Sequence, residues 1–119
     1  MVTLLTACGQ GPSQATNAFA GYHRSDPNAG DAALLEGTLV LDDGCLYADS
    51  DGQRWLPVFP AEETRWDAKA QTLTLGGSSA VVGERSGFGG GEADATIIAF
   101  APDGCDRSKV WLVTSLGLP

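Results

Sequence analysis

The stretch from Glu36 to Pro60 constrains the fold more than any other part of this chain. It contains three short apolar segments, 38–41, 45–48 and 54–59, which are separated by the clusters DDG and DSDG. Asp and Gly tolerate the positive φ angles of tight hairpin turns, so this arrangement predicts a three-strand meander. The same stretch contains Cys45, the first of two cysteines in the predicted domain.

Four further segments, 72–75, 80–88, 96–100 and 110–114, are also short and apolar or β-branched. Sixteen Gly and six Pro punctuate the chain, and no window shows the apolar spacing of a long amphipathic helix. Seven short, evenly spaced strands predict an all-β fold with a closed or nearly closed sheet, and residues 66–70 are expected to form a polar connection. Pro57 predicts an edge or bulge, and Gly83 and Gly89–Gly91 predict bends.

The N-terminus carries a separate pattern, Leu5-Thr6-Ala7-Cys8. It resembles the lipobox of bacterial lipoproteins, which implies that Cys8 is lipidated and becomes the mature N-terminus, with residues 1–7 left as the remnant of a signal peptide. This remnant has no Lys or Arg and only a short apolar run, so we expect the true start to lie upstream of Met1. Gly9, rather than Asp, follows the anchor, and in this the chain resembles lipoproteins that are sorted to the outer membrane and face the periplasm in organisms with two membranes.

Residues 9–33 are rich in Gly, Ser, Ala, Asn, Gln and Pro and lack sustained periodicity. We therefore expect residues 8–34 to be a lipidated N-terminus followed by a flexible linker, and residues 35–119 to be the β-barrel domain. The sequence has no apolar run long enough for a transmembrane helix, so lipid alone would attach the domain to the membrane.

The number of cysteines fits the cell-envelope location that the lipobox implies. With Cys8 assigned to lipid, Cys45 and Cys105 remain, and an even remainder in an exported chain indicates a disulfide. Such a bridge would suit a domain of about 85 residues, whose hydrophobic core alone is only marginally sufficient. The alternative is a free or reactive thiol. Two cysteines and His23 are too few and too scattered for a zinc site, and we expect no metal and no cofactor.

The strand pattern as a whole resembles the small barrel of the OB type. It is also similar to a group of short, uncharacterised bacterial envelope lipoproteins that share several short motifs. The motifs here are Gly44-Cys45-Leu46, Leu56-Pro57-Val58-Phe59-Pro60, Val82-Gly83, Gly89-Gly90-Gly91 and Pro102-Asp103-Gly104-Cys105. The resemblance implies an envelope location and an OB-like fold, and it implies no activity because none is assigned to the group.

Charge argues against one class of partner. Fifteen acidic and seven basic residues give a net charge of −8, with no basic cluster. Such a surface repels phosphate backbones, so nucleic-acid binding is disfavoured even on an OB-like barrel.

Motifs with possible chemistry have simpler structural explanations. The glycine-rich segment 87–92 lacks the Gly-Lys-Ser/Thr of a phosphate loop, and DSDG at 49–52 lacks the remaining ligands of a calcium loop. A carboxylate pair drawn from Glu62, Glu63, Glu84 and Glu92 is expected by coincidence in so acidic a chain, and we predict no catalytic residues.

Aromatic residues are the remaining candidates for binding: Trp55, Trp66, Trp111, Phe59 and Phe88. A barrel this small needs most of them in its core, and Trp66 is the candidate for stacking on a ligand because it lies in a polar segment. We therefore expect a non-enzymatic, lipid-anchored envelope protein that acts as a binding or structural module for another envelope protein or a glycan. The alternatives are a small envelope hydrolase and an OB-type binder of oligonucleotides or oligosaccharides.

Overall fold

The computed structural model describes residues 17–24 and 33–118, which form nine strands and one short 3-10 helix. In chain order the elements are β1 (Ala20–Tyr22), β2 (Ala33–Asp42), β3 (Cys45–Ser50), β4 (Gln53–Pro60), β5 (Thr64–Asp67), β6 (Thr72–Leu75), β7 (Ser78–Val81), β8 (Arg85–Ala93), the 3-10 helix (Ala95–Ile97) and β9 (Val110–Leu116).

Five of these strands close into a barrel in the order β4-β3-β2-β8-β9. Neighbouring strands are antiparallel except at the closure, where β4 and β9 run parallel and Leu56 is opposite Val110. The predicted all-β, OB-like barrel is confirmed. The chain between β4 and β8 forms a separate three-stranded antiparallel sheet, β5-β6-β7.

The meander predicted from 36–60 is present as β2, β3 and β4. Its two turns contain residues with positive φ, namely Asp43 (53°) with Gly44 (83°), and Asp51 (52°) with Gly52 (78°). The Asp and Gly clusters therefore form the tight hairpin turns that their tolerance of positive φ predicts.

Proline and glycine mark the places where the barrel strands change partners. Pro57 lies between Trp55, the last β4 residue paired with β3, and Val58, the first paired with β1. Because Pro has no N–H, it fits the position where one neighbour is lost and the next begins. A register shift between Gly89 and Gly90 bends β8 against β9.

The main core fills the barrel and extends beneath the inserted sheet. Its fully buried members include Leu39, Leu46, Phe59, Leu73 and Phe88. A second core lies on the outer face of β3 and β4, and it contains Cys45, Tyr47, Leu56, Val58, Cys105 and Val110 among its buried residues. The two cores share the same strands because alternate residues of a strand point to opposite faces.

The predicted linker 8–34 needs correction where the structure describes it, at residues 17–24 and 33–34, and its other residues lie outside the described part of the chain. Residues 20–22 form β1, which pairs in parallel with 58–60 of β4, and Ala18, Phe19 and Ala20 are buried. The Phe19 ring makes edge contacts with Phe59 and Phe100 at centroid distances of 6.0 and 5.7 Å. The folded unit therefore begins before residue 35.

Three other strand predictions differ from the structure. Strand β5, residues 64–67, takes up the first two residues of the segment 66–70 that was expected to be a connection. Gly83, with a φ of 92°, makes a turn that divides the predicted strand 80–88 into β7 and β8. Residues 96–100 form no regular strand. Asp94 instead caps the 3-10 helix through a 2.9 Å hydrogen bond from the Thr96 N–H, and the following residues pack on the second core.

Candidate functional site

Cys45 and Cys105 form a disulfide, as predicted, with a Cα–Cα distance of 5.7 Å. This distance is typical of natural disulfides. Cys45 opens β3, whereas Cys105 lies in the long connection between β8 and β9, and both are buried. The bond therefore attaches that connection to the outer face of the barrel.

The connection, residues 94–109, covers the surface that OB-type barrels use for binding. In such barrels the second and third strands, with the loops flanking them, contact oligonucleotides or oligosaccharides. Here those strands are β3 and β4, and their outward Tyr47, Leu56 and Val58 are buried in the second core. The side chains that cover them come largely from the connection: Ala95, Ile97, Ile98, Ala101 and Cys105.

At the rim of this covered face, Arg54 is held by two carboxylates and a ring. It donates hydrogen bonds to Asp49 (2.8 and 2.9 Å) and Asp42 (2.7 Å), and its guanidinium lies 4.9 Å from the centroid of Tyr47. The hydrogen bond from Arg54 lowers the pKa of Asp49, and the bonds to Asp49 and Asp42 raise that of Arg54. A shallow groove of about 280 Å³ at the β3–β4 turn is lined by Asp49, Gly52, Gln53 and Arg54. Its charged groups are therefore already paired with each other.

Two of the carboxylates considered for catalysis hold the N-terminal segment. Glu62 accepts a 2.7 Å hydrogen bond from Nδ1 of His23, and this bond lowers the pKa of Glu62. Glu63 lies 3.0 Å from Nε of Arg24, whose other end donates to the Thr114 carbonyl. These contacts attach the end of β1 to the corner after β4.

The other two carboxylates lie elsewhere. Glu84 is exposed in the turn before β8, and Glu92 is exposed in β8 opposite Trp111. Neither lines the groove beside Trp66. The structure therefore does not bring Glu84 or Glu92 together with Trp66.

Most of the aromatic residues serve the core, in accordance with the prediction. Phe59 and Phe88 are fully buried, and the Trp111 indole N–H donates a 3.0 Å hydrogen bond to the Phe88 carbonyl. Trp55 contacts the edge of Trp111 at a centroid distance of 5.5 Å, and the Lys109 ammonium lies 4.8 Å from the Trp55 ring centroid.

Trp66 lies in β5, opposite the fully buried Leu73 of β6, and packs partly against the main core. It also contributes to a second shallow groove, of about 490 Å³, on the inserted sheet. This groove is lined by Arg65, Trp66, Asp67, Ala68, Thr72 and Thr74. The role of Trp66 in stacking on a ligand stays a prediction, because the residue is neither fully buried nor fully exposed.

Apart from Trp66, the residues that line this groove do not form a recognised binding motif in the sequence. They become neighbours because Arg65 is opposite Thr74 and Asp67 is opposite Thr72 in the β5–β6 register. The alternation of Thr72-Leu73-Thr74-Leu75 was the one available signal, since it assigns both threonines to the same face.

Two motifs considered in the sequence have structural roles. The glycine-rich segment 87–92 belongs to β8, and Asp49 of the DSDG turn is paired with Arg54. Within residues 17–24 and 33–118, no group of three His, Cys, Asp or Glu side chains is arranged to hold a metal ion. The same residues include no helix with the length and hydropathy needed to cross a bilayer. The predicted lipidation site, Cys8, lies outside the described residues.

Comparisons of the chain with protein-family models, with curated proteins and with solved structures gave no match.

Proposed function

We propose that this chain is a lipid-anchored bacterial envelope protein whose barrel is a non-catalytic binding or structural module. The observation that carries the proposal is the disulfide between Cys45 and Cys105. Disulfides persist in exported proteins and are rare in the reducing cytosol. The lipobox pattern before Cys8 supports the same compartment from an independent part of the sequence.

A binding or structural role is favoured over hydrolysis by the environment of the acidic residues. Two of the glutamates considered for catalysis, Glu62 and Glu63, are paired with His23 and Arg24 and so attach the N-terminal segment. A retaining or inverting glycosidase needs two carboxylates that flank one bond, and its general acid needs a raised pKa. The pKa of Glu62 is instead lowered, because His23 is hydrogen-bonded to it.

A role in binding oligonucleotides at the OB-type face has two observations against it. The outer face of β3 and β4 is buried beneath residues 94–109, and the chain has no cluster of Lys and Arg that could neutralise a run of phosphates. The proposed partners are therefore another envelope protein or a glycan, with the membrane reached through lipid and no nucleic acid.

The test is intact-mass spectrometry of the protein purified without reduction from its native host, where expression from the chromosome includes any upstream residues. We expect a mature N-terminus at Cys8 carrying acyl chains and the loss of two hydrogens at Cys45 and Cys105. A Cys8→Ala variant should lose the acyl mass and keep the disulfide, and a double Cys45→Ala and Cys105→Ala variant is the matched control. An unmodified chain that starts at Met1 and has free thiols would overturn the proposal.

A further inference from the structure

The outward face of the inserted sheet is open to solvent, whereas the OB-type face of β3 and β4 is covered. Leu73, Leu75 and Ala80 are buried toward the barrel, so their neighbours in the strands face solvent. The strand registers place these outward residues in two rows, Arg65-Thr74-Ser79 and Asp67-Thr72-Val81. The groove of about 490 Å³ lies across the first two strands of this face.

The groove is lined by side chains that form directed hydrogen bonds. Thr74 and Ser79 place their hydroxyl oxygens 3.2 Å apart, and the Thr72 hydroxyl donates to the Ala70 carbonyl at 3.0 Å. Each hydroxyl retains lone pairs that can accept a further hydrogen bond. On a β-sheet, neighbouring polar groups stand about 5 Å apart across strands and about 7 Å apart along a strand, which is comparable with one pyranose ring.

Asp67 is held in a fixed orientation at one end of the groove. Its Oδ1 accepts hydrogen bonds from the backbone N–H groups of Lys69 (3.0 Å) and Ala70 (3.1 Å). These bonds close the turn between β5 and β6, so the carboxylate is ordered before any ligand binds. Preorganisation of this kind reduces the entropy lost on binding.

Arg65 is the exposed cation of the groove. Arg24, Arg54 and Arg85 each have a carboxylate partner. None of the ion pairs found among the described residues includes Arg65, in a protein with fifteen acidic residues. A guanidinium binds a carboxylate through two parallel hydrogen bonds, which gives both affinity and orientation.

We propose that the groove on β5 and β6 is a saccharide site and that it takes a sugar bearing a carboxylate. Arg65 binds the carboxylate, Thr72 and Thr74 exchange hydrogen bonds with ring hydroxyls, and Asp67 accepts from another hydroxyl. This site rests on the proposed binding role of the barrel, and it requires no lipid at Cys8.

The test is titration of the ¹⁵N-labelled full chain with trigalacturonate as the probe, followed by NMR. We expect saturable shifts of backbone amides within 64–75. The trisaccharide methyl ester, which has the same rings without charge, should bind at least about tenfold more weakly, because charge-assisted hydrogen bonds are the stronger ones. Sodium acetate should give no saturable shifts, because it offers a carboxylate without ring hydroxyls.

Variants separate the site from general effects of charge. Arg65→Gln should weaken trigalacturonate binding at least about tenfold, and Thr74→Val should weaken it severalfold. Arg107→Gln removes an exposed arginine from the β8–β9 connection and should leave binding unchanged. The proposal is overturned if trigalacturonate shifts no amides in 64–75, if its methyl ester binds equally well, or if Arg107→Gln has the same effect as Arg65→Gln. If one of these three results were obtained and Cys8 were found acylated, the saccharide site would be wrong and the proposed envelope role would still hold.

Discussion

The hydroxyl of Tyr22 donates a 2.8 Å hydrogen bond to the main-chain carbonyl of Val113, across 91 positions of sequence. Tyr22 ends β1, and Val113 lies in β9 after the part that pairs with β4. A side chain from the start of the fold thus donates to a β9 carbonyl that lies just beyond the last β4–β9 pair, Val58 and Leu112. Arg24 makes a similar contact with the following residue of β9: its guanidinium donates a 3.0 Å hydrogen bond to the Thr114 carbonyl.

Replacing Tyr22 by Phe should lower the free energy of unfolding by about 1–2 kcal/mol, because the buried Val113 carbonyl would lose its donor. Urea unfolding followed by tryptophan fluorescence measures the change. Thr96→Val, which removes an exposed hydroxyl, is the control and should change stability by less than about 0.5 kcal/mol. Equal effects of the two substitutions would contradict the role assigned to Tyr22.

Removing the disulfide in a Cys45→Ala and Cys105→Ala double variant should destabilise the domain by about 4 kcal/mol. The cysteines are 60 residues apart, and the chain-entropy model assigns a stabilisation of this size to a loop of that length. Urea titration of the double variant and of the oxidised wild type gives the difference. A loss below about 1 kcal/mol would contradict the chain-entropy estimate for this disulfide.

Gly90→Ala should cost about 3 kcal/mol or more, or prevent folding. A Cβ at this position would overlap the Leu112 carbonyl oxygen in the neighbouring strand, where backbone atoms cannot move aside. Gly77→Ala is the matched control, because a Cβ there meets no atom within 4 Å. Thermal unfolding should separate the two variants clearly, and a fully stable Gly90→Ala protein would mean that β8 and β9 do not approach as closely as described.

The pair formed by Asp49 and Arg54 predicts a pH dependence. The hydrogen bond from Arg54 holds the pKa of Asp49 below its ordinary 3.8. The pair's contribution to stability is therefore present above that value and is lost as the pH falls through the lower pKa of the folded state. Because both side chains are partly exposed, we expect this contribution to be at most about 1 kcal/mol.

NMR titration of the Asp49 carboxyl carbon is the direct measurement. Arg54→Gln should move the pKa of Asp49 back up toward its ordinary value, whereas Arg107→Gln should leave it in place. An Asp49 that titrates identically in the wild type and in Arg54→Gln would show that the ion pair does not persist in solution.

The elements predicted correctly are those whose information is local. Asp and Gly at the two turns fix the meander, and the alternation in 72–75 fixes the buried and exposed faces of β6. The pairing of Cys45 with Cys105 was predictable because the domain contains only those two cysteines. Each of these inferences depends on conformational preference or on counting, and neither needs a distant strand.

The errors concern residues whose structure depends on distant partners. β1 is a three-residue strand without sustained periodicity around it, and it exists because β4 offers an edge after Pro57. Residues 96–100 have the composition of a strand, yet Ile97 and Ile98 are partly buried by packing on the second core rather than by pairing. The groove on the inserted sheet depends on the β5–β6 register, which no local pattern specified because β5 itself was not predicted.

The docking of β1 also limits how high the barrel can stand above a membrane. If Cys8 carries the proposed lipid, nine peptide units lead from it to Asn17, and a fully extended chain of that length spans about 30 Å. A fold that began at Leu35 would instead allow about 90 Å. The barrel would therefore be confined to a thin layer next to the lipid surface, and any partner would have to be present in that layer.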